Sequence, residues 1–227
     1  LLAMHTIMHQ EKLLTKLHII PEELILAGKS WTIDSSNYTG FNQKGILFHN
    51  LTLNNASHKI SISSIKEELN EDIAITFNEF SLDDISSIFK KTKTPAEGIV
   101  NGNVLIKKIN GSYGLIADAS INGLKIYEVP AGDLIFKATK AGKDFRINAS
   151  LIGTENNIHT EGTVQNADSQ SVLDLDVRID KLSLNLIQSL APEQLTSAEG
   201  FVSGKFDITG KTSLPSINGN LNFNQVK

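Results

Sequence analysis

Residues 173–180 read Leu-Asp-Leu-Asp-Val-Arg-Ile-Asp, and this stretch decides the fold class. Aliphatic and charged side chains alternate along it with a period of two. Because successive side chains of a β-strand point to opposite faces of the sheet, the stretch predicts a strand with one apolar and one charged face. The acidic side chains Asp174, Asp176 and Asp180 are therefore interpreted as a solvated face and not as a calcium or acid–base site.

The same alternation recurs along the chain and predicts an all-β protein. It is found at residues 73–77, 100–106, 145–151, 206–208 and 221–223. Short strands punctuated by glycine are typical of antiparallel meanders. Four Asn-Gly pairs are interpreted as turns of such meanders, at residues 101–102, 110–111, 122–123 and 218–219.

Helical signals are few. Leucine and methionine at helical spacing predict a helix in the first 17 residues. Ser81 followed by Asp84 resembles a capping box, which predicts a short helix from there to Phe89. A counterpart begins near Ser183 and ends before Pro192, since proline cannot continue a helix.

A comparison of the chain with itself predicts a repeat. Residues 80–106 align without gaps on residues 182–208, an offset of 102, and more than a third of the aligned positions are identical. Each copy is followed by Ser-Ile-Asn-Gly, at residues 120–123 and 216–219. We predict an N-terminal helical or irregular segment at 1–20, a first β unit at 21–123, and a second unit at 124–227 that continues in a longer protein.

Composition excludes several classes of function. The net charge is −4, so the chain has no basic field to hold nucleic acid. Cysteine is absent, which excludes disulfides and thiolate zinc. His5 and His9 have the spacing of two ligands on a helix, but no third ligand lies nearby in the sequence. There is no Gly-x-Ser-x-Gly motif for a hydrolase, and we predict no enzyme, metal or cofactor.

Two stretches resemble the TamB/AsmA-like family of bacterial envelope proteins. The first, Gly-Phe-Val-Ser-Gly-Lys-Phe-Asp-Ile-Thr-Gly-Lys-Thr-Ser-Leu-Pro-Ser-Ile-Asn-Gly at 200–219, is similar to that family's glycine-spaced strands followed by Gly, Pro and another glycine-marked strand. The second comprises Trp-Thr-Ile-Asp at 31–34, Gly-Ile-Leu-Phe-His-Asn-Leu-Thr-Leu at 45–53 and Lys-Ile-Ser-Ile-Ser at 59–63. It resembles the strands that precede such units in TamB-like chains of the Bacteroidetes.

The resemblance implies an elongated antiparallel sheet, built from repeats of about 100 residues and curled into an open apolar groove, with a few short helices. It further implies a periplasmic protein, anchored in the inner membrane of a Gram-negative bacterium, that shields phospholipid acyl chains on their way to the outer membrane. A TamA-type outer-membrane partner would be engaged through parts outside this chain.

The apolar positions of the alternating strands are predicted to line the groove. They are Val100, Val104, Ile106, Phe145, Ile147, Leu151, Leu173, Leu175, Val177, Ile179, Phe206 and Ile208. An alternative is a repetitive surface or adhesin-like module of closed β-sandwiches, in which the same side chains would form a core. An enzyme on a β-solenoid is a third alternative, but its short coils do not match an offset of 102 residues.

Overall fold

The described part of the chain forms one antiparallel β-sheet with two short helices, as seen in a computed structural model. The structure describes residues 2–11, 14–26, 28–86, 95–109, 112–141, 144–167, 170–195 and 197–226. Within these residues the strands are β1 (Leu2–Glu11), β2 (Leu14–Leu26), β3 (Lys29–Ile33), β4 (Tyr38–Asn42), β5 (Gly45–His49), β6 (Leu51–Asn55), β7 (His58–Ser64), β8 (Ile73–Ser81), β9 (Ala96–Ile109), β10 (Ser112–Ile126), β11 (Val129–Ala141), β12 (Asp144–Ile152), β13 (Asn156–Ala167), β14 (Gln170–Ser183), β15 (Phe201–Lys211) and β16 (Leu214–Asn224). The helices are α1 (Leu82–Ser86) and α2 (Leu184–Leu190).

The sheet is a meander, in which neighbouring strands follow one another along the chain. From β6 to β16 each strand pairs with the next one. The earlier strands follow the same scheme, because β3 and β4 act as one bent strand. Strand β2 pairs with both of them, and they pair in turn with β6 and β5.

A buried asparagine holds the bend between β3 and β4. Asn37 is 1% exposed, and its amide nitrogen donates to the main-chain oxygen of Ile19 at 2.9 Å. Its amide oxygen accepts from the N–H of Ile19 at 3.1 Å. The side chain thus supplies the two hydrogen bonds that a neighbouring main chain would make in an unbroken ladder.

The pairing register sorts the side chains into two faces, because direct cross-strand partners lie on the same side of a sheet. One row of direct partners crosses from β6 to β16 and contains only aliphatic residues and one glycine: Leu51, Ile62, Ile75, Val104, Ala117, Ala138, Ile147, Gly162, Leu175, Ile208 and Ile217. We call this side the groove face. The adjacent row is polar at every strand: Thr52, Ser61, Thr76, Asn103, Asp118, Lys137, Asn148, Glu161, Asp176, Asp207 and Asn218. That side is the polar face.

The groove face is concave near its N-terminal end. Trp31 on β3 packs edge-on against Phe80 on β8, with 5.9 Å between the ring centroids, although β6 and β7 lie between these strands in the sheet. Leu24 and Val100 complete this buried cluster. Strands separated by two others bring side chains into contact only when the sheet curves toward that face.

Helix α2 lies across the groove face at one margin of the sheet. It follows β14, yet its residue Leu186 is 3% exposed and packs in a cluster with Leu124 of β10 and Ala131 of β11. Helix α1 leaves β8 at the same margin, and we call this margin the helix rim. Pro192 lies just beyond α2, which agrees with the predicted end of that helix.

Strands β8 and β9 pair with the same geometry as β14 and β15, 102 residues further on. Strands β8 and β9 pair Ile73 with Ile106 and shift register between Phe77 and Phe80. Strands β14 and β15 pair residues 175 and 208 and shift register between residues 179 and 182. Both shifts are followed by a short helix that begins at the next position but one. The division into units at 21–123 and 124–227 stays a prediction.

The N-terminal helix prediction is wrong. Residues 2–11 and 14–26 are the paired strands β1 and β2. Pro21 lies in β2 next to a register shift, where a missing N–H does not break the ladder. A few apolar residues at helical spacing cannot stabilise a helix without an apolar surface to pack on, whereas pairing satisfies the main chain of both strands. His5 and His9 therefore lie on a strand and not on one face of a helix.

Three of the Asn-Gly pairs are not turns. Residues 101–102, 122–123 and 218–219 lie inside β9, β10 and β16. At Gly102 a Cβ atom would lie 2.2 Å from the main-chain oxygen of Asp118, so glycine permits the close approach of two strands. Gly123 has φ 61° and lies at a β-bulge. The fourth pair, at 110–111, lies outside the described residues.

The capping box prediction is wrong about the residue that pairs with Ser81. Ser81 does precede α1, but its hydroxyl donates to Asp83 at 3.3 Å, and Asp84 pairs with Lys29 instead. The predicted extension of this helix to Phe89 lies outside the described residues. The all-β fold class is confirmed: the described strands form one large antiparallel sheet, with two short helices, and not the two stacked sheets of a sandwich.

Candidate apolar groove

The twelve residues predicted to line a groove all lie on the groove face. Four of them, Val104, Ile147, Leu175 and Ile208, belong to the aliphatic row that crosses the sheet. The others lie in parallel rows one or two pleat repeats to either side, such as Phe145 and Leu173, which both flank Val164 of β13. The structure thus places these side chains on one surface, and their contact with lipid stays a prediction.

The twelve predicted groove residues are buried to different extents. Val100, Phe145, Val177 and Ile179 are between 3% and 8% exposed. The other eight residues are half-buried in the chain by itself. An apolar face that stays half-exposed across so many strands is unusual for a soluble surface and is typical of a binding groove.

Strands β10 and β11 contribute groove residues that the sequence did not predict. Leu134 pairs with Ile121 on one side and with Leu151 on the other. The signal is weak there, because Ile116 and Ile135 place apolar side chains on the polar face and interrupt the alternation. Alanines at groove positions of these strands hide the pattern further.

The polar face carries mixed charges in solvent. Asp174, Asp176 and Asp180 are exposed, as predicted, and the guanidinium Nε of Arg178 lies 2.7 Å from Oδ1 of Asp180. Across strands, the Lys137 ammonium lies 3.5 Å from a carboxylate oxygen of Asp118. Among the described residues no three His, Cys, Asp or Glu side chains are grouped so that they could hold a metal ion.

A second buried asparagine fixes the helix rim. Asn156 is 1% exposed and donates to the main-chain oxygen of Ala131 at 2.9 Å. Its amide oxygen accepts from the N–H of Ser183 at 3.0 Å, the residue that precedes α2. This side chain therefore ties the start of β11 to the entry of α2 and positions the helix over the groove face. Next to it, a cavity of about 780 Å³ opens between α2 and the turn at Tyr127.

Around α1 the helix rim is polar instead. The Asp84 carboxylate is 2% exposed and lies 3.1 Å from the ammonium of Lys29, which is 43% exposed. Burial, and then the charge of Glu97, raise the pKa of the neighbouring Asp83 above its usual value. Glu97 itself pairs with the Lys125 ammonium at 3.0 Å. The carboxylates of Asp83, Asp84 and Glu97 thus lie near one another, partly shielded from water, beside α1.

The groove face and its register extend over the stretch that matches a known family. The family model described as "TamB, N-terminal domain" matches residues 61–223. The chain belongs to the TamB family. No curated protein and no solved structure matches the chain.

TamB-family membership agrees with the resemblance read from the glycine-spaced strands. It places the chain in a cell-envelope family of transport and assembly proteins, which is not known for enzymes. In the described part of the chain, neither helix has the length and apolar character required to cross a bilayer.

Proposed function

We propose that this TamB-family chain forms a stretch of a groove that shields lipid acyl chains from water between the two membranes of a Gram-negative envelope. In this role it supports phospholipid transport to the outer membrane and outer-membrane biogenesis. The periplasm is the location that this role requires. A TamA-type outer-membrane protein is the partner that it implies, and we assign that partner no surface on this chain.

The observation that carries the proposal is the aliphatic row that runs across β6 to β16 beside an unbroken polar row. At about 4.8 Å per strand the row is roughly 50 Å long, several times the length of one acyl chain, which spans half of a bilayer core of about 30 Å. An acyl chain of about 16 carbons costs on the order of 13 kcal/mol to expose to water, at about 0.8 kcal/mol per methylene. A continuous apolar surface offsets this cost at every position along the groove.

Site-specific photocrosslinking in cells tests the proposal. A photoreactive residue replaces Leu175, which is half-buried on the groove face, or its neighbour Asp176, which is exposed on the polar face. We expect lipid adducts at position 175 and none at 176. Equal labelling of both positions, or none at position 175 in a folded protein, would exclude an occupied groove.

A charge on the groove face should block passage more than it unfolds the sheet. Leu175 pairs with Gly162 on one side, so an aspartate in its place has room to reach water. We expect Leu175→Asp in the full-length protein to abolish its support of the outer-membrane barrier while its level stays near normal. Asp176→Asn is the matched control and should behave as wild type. A Leu175→Asp strain with an intact barrier would contradict the groove assignment.

A further inference from the structure

A group of polar side chains interrupts the groove face on β3 and its neighbours. Ile33 of β3 pairs with Leu53 of β6, so alternation puts Lys29, Trp31 and Asn55 on the groove face. Lys29 is paired with Asp84, and the amide of Asn55 donates to the main-chain oxygen of Ser30 at 2.5 Å. These groups already have their partners within the protein.

Among the described residues, the indole N–H of Trp31 finds no acceptor. Trp31 is 3% exposed, and its Nε1 atom is buried without a hydrogen-bond partner. Around it lie Phe80 and the groove-face side chains of Leu53, Ile60 and Phe77, which supply no acceptor. A buried donor that stays unpaired is costly and therefore uncommon in native structures.

The position 102 residues further on is built differently. Asp133 occupies it and is exposed on the polar face, because the adjacent Leu134 pairs with Leu151 on the groove face. Its carboxylate accepts a hydrogen bond from the N–H of Gly123 at 2.8 Å. The pair Lys29 and Asp84 is likewise matched by Ala131 and Leu186, which pack together in an apolar cluster. Residue 133 therefore gives the groove face no counterpart of the Trp31 indole N–H.

We propose that the Trp31 indole N–H donates a hydrogen bond to an acyl-ester carbonyl of a diacyl glycerolipid. This hydrogen bond holds the lipid at the junction between its polar headgroup and its acyl chains. A neutral carbonyl suits this surrounding, because a phosphate there would lose its hydration and the Lys29 ammonium, two residues away on the same strand, is already neutralised by Asp84. The acyl chains then follow the groove face. This inference rests on the proposed function and adds the lipid group that is recognised.

The chain contains a single tryptophan, so its indole N–H gives one resonance in an ¹⁵N-correlated spectrum. The probes are dihexanoyl phosphatidylcholine, used below its micelle concentration, and the matching dihexyl ether lipid, which lacks both ester carbonyls. We expect the diester to move the indole proton downfield and to slow its exchange with solvent. The diether should bind without either effect.

Affinities measured by calorimetry complete the test. The wild type should prefer the diester by roughly tenfold, the range expected for one hydrogen bond to an otherwise unpaired donor. Trp31→Phe keeps a ring but removes the N–H, so this variant should bind the diester and the diether with about the same affinity. Phe80→Leu, the control, removes ring contact alone and should weaken both lipids equally. Equal preference in the wild type, with both lipids bound, would overturn the ester site only; binding of neither would overturn the proposed function as well.

Discussion

Exchanging the Lys29–Asp84 pair for its apolar counterpart tests how the helix rim is held. The two residues are the positional equivalents of Ala131 and Leu186, at an offset of 102. In both places a residue in the first turn of a short helix reaches a strand that is not its neighbour in the sheet. The contact is ionic at α1 and apolar at α2. The relevant variants are Lys29→Ala, Asp84→Leu and the double variant.

The two single variants should differ sharply, because the partners are buried unequally. Asp84 is 2% exposed and Lys29 is 43% exposed. Lys29→Ala leaves a buried carboxylate without its cation, which costs about 3–5 kcal/mol for a fully buried pair, and solvent around Lys29 brings the expected loss to about 3 kcal/mol. Asp84→Leu leaves an ammonium that can turn to water, so its loss should stay below about 1 kcal/mol. The double variant should be within about 1 kcal/mol of wild type.

Urea unfolding followed by Trp31 fluorescence measures these losses, since the only tryptophan lies two residues from Lys29 on the same strand. The expected coupling energy of the double-mutant cycle is about 3 kcal/mol. Equal losses for the two single variants, or a double variant whose loss is their sum, would refute this account of the contact.

Two further changes give measurable outcomes. Asn156→Ala should lower the free energy of unfolding by about 3 kcal/mol, because it leaves the buried main-chain groups of Ser183 and Ala131 unpaired. The control is Asn157→Ala, which removes a side-chain oxygen that has no partner and should cost less than about 1 kcal/mol in the same urea titrations. Equal losses for the two variants would contradict this account. Asp83 has a raised pKa in the folded chain, so the folded state holds its proton more tightly and loses stability as pH rises above the ordinary value of 3.8. Asp83→Asn should therefore gain a few tenths of a kcal/mol at pH ~7 relative to wild type and nothing at pH ~3; a gain that does not change with pH would exclude the carboxyl as its source.

The sheet could be predicted wherever one face of a strand is uniformly apolar. Residues 173–180 show this most clearly, because each groove-face aliphatic has a charged neighbour on the polar face. The prediction failed where local signals compete with pairing. Near the N-terminus, apolar residues at helical spacing lie on a strand. At Asn101-Gly102, a dipeptide that favours turns lies inside β9, since its glycine is required by the close approach of β10.

The candidate site was predictable in part, for a related reason. Alternation assigns a side chain to a face of its own strand, and the twelve predicted residues needed no more than that. The polar interruption at Trp31 depends on contacts between β3, β8 and α1, which are not neighbours in the sheet. An isolated tryptophan in an alternating segment gives no sign that its N–H lacks an acceptor, because that property belongs to the packing around it.

The ionic contact at α1 and the apolar contact at α2 also bear on the proposed recognition of a lipid ester by Trp31. A buried ion pair contributes little stability beyond an apolar pair of similar size, since desolvation offsets its attraction. The ionic pair at α1 is therefore not explained by what it adds to the fold, because Ala131 and Leu186 make the equivalent contact with apolar side chains. Its position beside Trp31 gives it a different consequence: Lys29 and Asp84 keep a polar environment two residues along the strand from Trp31, whose indole N–H lacks an acceptor. If the apolar double variant is as stable as wild type yet no longer distinguishes ester from ether lipids, the pair belongs to lipid recognition and not to folding.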